Sequence, residues 1–211
     1  MSSNVAVVDY GSGNLLSVQR ALEHVGGQVV LADTPEAIAA ADRLVLPGVG
    51  AFADGVGGLR TAGLMDPIVA FARTGKPVLG ICLGMQMLAS EGEEFGRHAG
   101  LGLIPGKVVP IPLTTDTGLR LKSPHIGWAD LRLAPGRTGG DAAGITERDA
   151  VYLVHSYHFE PSREADRLAD CIYGGRRITA AVASDNVVGF QFHPEKSGAV
   201  GLRMLAAFLE R

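Results

Sequence analysis

The sequence predicts an α/β protein with a mostly parallel central sheet, helices on both faces, and antiparallel strands extending the sheet in the second half. Three observations carry that prediction. Short β-branched runs alternate with helical patterns through the first half of the chain. From about residue 107 onward strand candidates follow one another with few helical residues between them. The 211 residues, 46% of them hydrophobic, suffice for one well-packed domain, read as spanning 1–211 without linker or internal repeat.

Residues 5–8 read as the first strand. Residues 14–25 place Val18, Ala21, Leu22 and Val25 on one helical stripe. A second strand covers 28–31, and Thr34-Pro35-Glu36 then starts a helix, with Thr as N-cap and Pro at the first helical position. The third strand, 43–46, ends in Pro47-Gly-Val-Gly-Ala-Phe52. A helical stretch over roughly 53–74, interrupted near Gly63, leads to a fourth strand. The second half offers strands at 107–111, 127–133, 151–154, 169–173, 179–183 and 187–192. A closing helix over 198–209 carries Met204, Leu205, Phe208 and Leu209 on one face. The polar, Gly-rich stretch 135–144 reads as a surface loop.

A net charge of −3 argues against nucleic acid as the main partner. The N-terminus has no basic leader pattern, and no apolar run approaches the roughly 18 residues of a membrane span. Two cysteines, Cys82 and Cys171, make no disulfide framework; a single bridge is formally possible, but a cytoplasmic protein with one working thiol is the expectation.

That thiol sits in Lys76-Pro-Val-Leu-Gly-Ile-Cys-Leu-Gly-Met-Gln86, an apolar strand entering a Gly-x-Cys-x-Gly turn and then a helix. Small flanking residues permit the strained corner that projects a nucleophile at a sheet end. The helix start beyond it favours a thiolate and a developing oxyanion. A thiol needs a base, and His193 in Phe190-Gln-Phe-His-Pro-Glu195 is the best candidate. Glu195 lies two residues on, on the same side of an extended segment, and can orient the imidazole. Each motif alone has a plainer reading: a buried cysteine behind a tight turn, or a solvated His–Glu pair. Together, at the C-terminal ends of predicted strands, they read as an active site. Zinc is the competitor, but the spacing matches no zinc pattern and only one thiolate is available. His24, His98, His125, His155 and His158 lack comparable context.

With Gly80-Ile-Cys-Leu-Gly-Met-Gln86 and His193-Pro-Glu195 the chain resembles the class I (triad) glutamine amidotransferases over essentially its whole length. Asp9-Tyr-Gly-Ser-Gly-Asn-Leu15, Pro47-Gly-Val-Gly-Ala-Phe52, Pro124-His-Ile-Gly-Trp128, Val154-His-Ser-Tyr157 and Phe192-His-Pro-Glu-Lys-Ser197 narrow the resemblance. They look like the branch that feeds ammonia to a separate cyclase subunit in imidazole glycerol phosphate synthase. The resemblance implies a flavodoxin-like sheet, glutamine as substrate, a heterodimer with the cyclase, and neither cofactor nor metal. It implies that Cys82 attacks the carboxamide and that His193 and Glu195 complete the triad. The oxyanion hole would come from Leu83, with Val49 and Gly50 after a peptide flip. Gln86, Ser156 and Tyr157 would hold the substrate, and Asn14, Trp128 and Lys196 would face the cyclase. It further implies a chain nearly idle until the partner is loaded, with the 48–50 segment as the switch. Ala129-Asp130 and His158 depart from the family's pattern. The glutaminase subunit of another synthase, such as anthranilate synthase, and a non-catalytic regulatory domain are the alternatives.

Overall fold

A computed structural model describes residues 4–137 and 143–211. In the first half, β1 (Asn4–Val8), α1 (Leu15–His24), β2 (Gln28–Ala32), α2 (Pro35–Ala39), β3 (Arg43–Gly48), α3 (Phe52–Thr61), α4 (Met65–Arg73), β4 (Val78–Cys82) and α5 (Leu83–Met87) alternate as expected. The Thr34 hydroxyl caps α2 by accepting the Ala37 N–H at 3.3 Å. The helical stretch divides at Gly63, whose φ of 70° ends α3 before α4 begins.

The second half holds β5 (Glu91–Gly92), β6 (His98–Ala99), β7 (Gly106–Pro110), β8 (His125–Asp130), β9 (Arg132–Leu133), β10 (Ala150–His155), β11 (Tyr157–Pro161), β12 (Arg167–Tyr173), β13 (Arg176–Ser184), β14 (Val187–Phe190) and the last helix, α6 (Gly198–Leu209). The main sheet runs β2-β1-β3-β4-β14-β13-β12-β9. Its first five strands are parallel; the rest are antiparallel extensions. The expected strand 127–133 is two strands in two sheets. Leu131, fully buried, bends the chain so that β8 pairs with β10 while β9 joins the main sheet. Strand β11 had no counterpart in the sequence reading. The loop expected at 135–144 lies partly on 138–142, outside the described residues.

Alternation along β1 sends Val5 and Val7 to one face and Ala6 and Val8 to the other. The first face is covered by α1 and α6 through Val18, Leu22, Met204 and Phe208. The second is covered by α2 to α5 through Ile38, Phe52, Leu59, Ile68 and Met85. Burial on both faces accounts for the continuous apolar run of β4. The parallel register also brings the C-terminal ends of β1, β3, β4 and β14 to one edge, where ligands meet open α/β sheets.

Candidate active site

Cys82 ends β4 with φ 55° and ψ −111°, a conformation rare for a residue with a Cβ. The surrounding glycines make the corner possible. A Cβ on Gly84 would strike the Leu46 carbonyl, and one on Gly80 would lie 2.7 Å from the Met85 nitrogen. The helix beyond has only five residues, so its first N–H groups, rather than a long macrodipole, are what it offers the site.

His193 follows β14 and is fixed by its backbone. Its N–H donates to the Tyr152 carbonyl at 3.0 Å, and its own carbonyl accepts the Ser197 hydroxyl at 2.7 Å. Ser197 Oγ in turn accepts the Tyr152 N–H at 3.1 Å, which closes a clamp between β10 and the start of α6. The His193 Nδ1 lies 2.8 Å from Glu195 Oε1, and the Glu195 side chain is only 1% exposed. Burial pulls the imidazole pKa down, but hydrogen bonds with the Cys82 sulfur and the Glu195 carboxylate, together with their charges, push it up to about 9. With Nδ1 taken by Glu195, Nε2 is the ring nitrogen left for the sulfur, and Cys82 and His193 line the same cavity. Sulfur, imidazole and carboxylate thus stand in series, the arrangement of a triad.

A cavity of about 330 Å³ opens over the thiol, lined by Val49, Gly50, Cys82, Leu83, Gln86, Glu94, Pro124, Val154, His155, Ser156, Tyr157, His193 and Lys196. Gln86 is buried and donates both to the Tyr157 carbonyl and to Gln191 Oε1, each at 3.1 Å. Val49 follows β3, its carbonyl accepting the Ser12 hydroxyl at 3.3 Å. The two neighbouring glycines serve different needs. Gly50 takes φ 98°, whereas a Cβ on Gly48 would meet the Tyr10 hydroxyl at 2.6 Å. Asn14 and Trp128 lie outside the cavity lining: Asn14 precedes α1, and Trp128 stands 59% exposed on β8. Cys171 is buried and free, its thiol pushed up to about 12 chiefly by burial. His158 is also buried, brought down to about 4 first by burial and then by the Arg167 charge, so this departure packs as a neutral core residue.

The sequence reading missed three groups. Glu94 lines the cavity, and its Oε2 accepts the Phe52 N–H at 2.7 Å, capping α3 from 42 residues away. His155 lies beneath the cavity as a neutral ring. Burial lowers its pKa to about 4, its Nδ1–H donates to the Tyr157 carbonyl at 2.8 Å, and its Nε2 accepts from His125 Nδ1 at 3.3 Å. Gln191 touches both Gln86 and the thiol. His155 and Gln191 stand beside recognised motif residues, whereas Glu94 sits in an acidic run that carries no local signal.

A parallel sheet with a thiol on a strained corner, a carboxylate-backed imidazole and a small cavity above them defines a triad amidase of the cysteine type. The glutamine amidotransferase class-I family model matches residues 6–211. Subunit HisH 1 of imidazole glycerol phosphate synthase from Legionella pneumophila (strain Lens) is 51% identical over 99% of both chains. The HisH subunit from Syntrophotalea carbinolica is 46% identical over 97% of this chain and 98% of its own. A solved structure, "Structure of PurLQS from Thermotoga maritima", shares the fold with a TM-score of 0.73 at 21% identity, covering 100% of this chain and 99% of that one. The chain belongs to the class-I glutamine amidotransferase family and, within it, to the HisH group of imidazole glycerol phosphate synthase subunits.

Proposed function

We infer that this protein hydrolyses glutamine to glutamate and ammonia and passes the ammonia to a cyclase subunit in histidine biosynthesis. There the ammonia would enter a phosphoribulosyl-formimino carboxamide ribotide, yielding imidazole glycerol phosphate and an aminoimidazole carboxamide ribotide. The single observation that carries the reading is the series from the Cys82 sulfur through His193 to Glu195 at the lip of the cavity.

The Cys82 sulfur attacks the side-chain carboxamide carbon, and the carbonyl oxygen becomes an oxyanion. The Leu83 N–H, next after the nucleophile, is one donor to it; the Val49–Gly50 segment supplies the second. His193, held as imidazolium, gives its proton to the departing nitrogen; the C–N bond breaks, ammonia leaves, and the acyl group stays on Cys82 as a thioester. Water then loses a proton to the neutral imidazole and attacks the thioester; the C–S bond breaks, glutamate leaves, and the thiolate–imidazolium pair is restored.

The substrate's other end needs acceptors for an ammonium and donors for a carboxylate. Both Gln86 N–H bonds are committed to protein acceptors, so Gln86 turns its oxygen to the ammonium, with the Glu94 carboxylate beside it. Backbone N–H groups around Ser156 and Tyr157 receive the carboxylate. Lys196 at the cavity rim, Asn14 and Trp128 face the cyclase, whose docking seals the ammonia path from bulk water. Two free thiols suit a reducing, cytoplasmic setting.

A diazo-ketone analogue of glutamine, followed by peptide mapping, tests the assignment in the assembled complex. Labelling at Cys82, and loss of both labelling and hydrolysis in Cys82→Ala, is the expected result. Label on another residue, or turnover surviving in Cys82→Ala, would overturn it.

A further inference from the structure

Gln191 is fully enclosed, 0% exposed, between Phe190 and Phe192 in sequence. The two phenylalanines stack, centroids 4.9 Å apart, within the core on one face of the sheet. Alternation turns Gln191 to the opposite face, toward α5. A buried amide is costly unless its polar atoms find partners, so this position asks for an explanation.

Both partners belong to the site. Gln191 Oε1 accepts from Gln86 Nε2 at 3.1 Å, and Gln191 Nε2 lies 3.9 Å from Cys82 Sγ, within reach of an N–H···S bond. Among the described residues the sulfur is the only partner of that nitrogen. The direction of the chain is fixed by a group that cannot be reversed. The Tyr157 carbonyl can only accept, and it receives Gln86 Nε2 at 3.1 Å and His155 Nδ1 at 2.8 Å. Gln86 must therefore turn its NH₂ that way. The same NH₂ reaches Gln191, which must answer with its oxygen, and its own NH₂ is left aimed at the sulfur.

We propose that Gln191 is a further catalytic residue: its amide N–H donates to the Cys82 sulfur and stabilises the thiolate, while its oxygen holds Gln86 in the orientation that presents an acceptor to the substrate. The proposal rests on Cys82 being the nucleophile. A neutral thiol is a weak acceptor and a thiolate a strong one, so the contact strengthens as the sulfur gains charge. It acts on the attacking atom, whereas the Leu83 N–H acts on the oxyanion.

Gln191→Met keeps the volume and removes both polar atoms. The pH profile of Cys82 alkylation by iodoacetamide, read on the full chain, moves its midpoint upward by roughly half to one pH unit. In the complex with the ligand-loaded cyclase, kcat falls by roughly 3- to 10-fold and KM for glutamine rises. A folded Gln191→Met with an unchanged alkylation midpoint would overturn the proposal. A variant that fails to fold leaves the wild-type chain to decide. The ¹H–¹⁵N signals of the Gln191 side-chain amide titrate with the same midpoint as Cys82 alkylation, and signals that stay still would overturn the proposal. Absence of Cys82 labelling by the diazo-ketone would instead sink the assignment of the nucleophile.

Discussion

The Ser12 hydroxyl donates to the Val49 carbonyl at 3.3 Å, joining the turn after β1 to the segment after β3. Peptide planarity puts the Gly50 N–H on the side opposite that carbonyl, so the bond fixes the orientation of both. The peptide flip that the family resemblance implies would require Ser12 to let go. Gly50, already at φ 98°, supplies the backbone freedom. A hydrogen bond contributes about 0.5–1.5 kcal/mol net. Ser12→Ala should therefore raise glutamine turnover by the chain alone roughly 2- to 10-fold, with little change in the complex holding ligand-loaded cyclase. Stopped-time glutamate assays on both forms check this, and an unaltered basal rate would remove Ser12 from the gate.

The raised pKa of His193 sets the alkaline limb of activity. Its imidazolium must protonate the leaving nitrogen, so log(kcat/KM) should fall as pH rises through about 9. Glu195→Gln removes one of the charges that hold the proton. The limb should then move below 9, with turnover down by roughly 10²- to 10⁴-fold. Stability follows the same sign. A group raised from 6.5 to about 9 contributes fully below 6.5, and the contribution is lost between 6.5 and 9. Urea midpoints for wild type and Glu195→Gln should therefore converge above pH 9; a gap that widens there would contradict the shift.

How much of this could be read beforehand depends on the range of the interactions. The alternation of β1 to β4 with α1 to α5 was legible because amphipathic period and capping chemistry are local. Cys82, His193 and Glu195 were legible because each lies in a short motif whose geometry is set by its neighbours. The division at Leu131 was not, since the pattern of 127–133 is continuous and only pairing with two different partners separates β8 from β9. Glu94, Ser12 and Gln191 act through partners 42, 37 and 109 residues away, and no local pattern encodes such pairings.

The tightest backbone approach at the nucleophile lies between Gly84 and Leu46. A methyl group on Gly84 would be driven into the Leu46 carbonyl, in a segment where β3 and β4 are already paired. Overpacking of this kind costs about 1–3 kcal/mol, and more where backbone must yield. Gly84→Ala should lower Tm by several degrees and cut diazo-ketone labelling of Cys82, because the corner that aims the sulfur shifts with it. Gly57→Ala makes the control: it lies in α3 without a left-handed φ, and its Cβ meets nothing within 4 Å. Equal losses in the two variants would place the effect in the glycine-to-alanine change itself rather than in the elbow.

Trp128 is a large aromatic group left exposed on β8, and its surroundings separate docking from folding. Along β8, Ile126 and Trp128 point outward, each 59% exposed, while His125 turns inward to stack on Tyr173 at 4.1 Å. Among the described residues the aromatic neighbour of Trp128 is Tyr152, edge-on at 5.9 Å. Truncating so exposed a ring removes little native packing, so Trp128→Ala should shift the chain's own stability by about 0.5 kcal/mol or less. A tryptophan at the centre of an interface, by contrast, is typically worth about 2 kcal/mol or more. The dissociation constant for the cyclase should thus rise roughly 30-fold, and ammonia should escape the complex to solvent. Titration calorimetry beside thermal melts of the isolated chain separates the two roles. A large drop in Tm with unchanged cyclase affinity would return Trp128 to the fold.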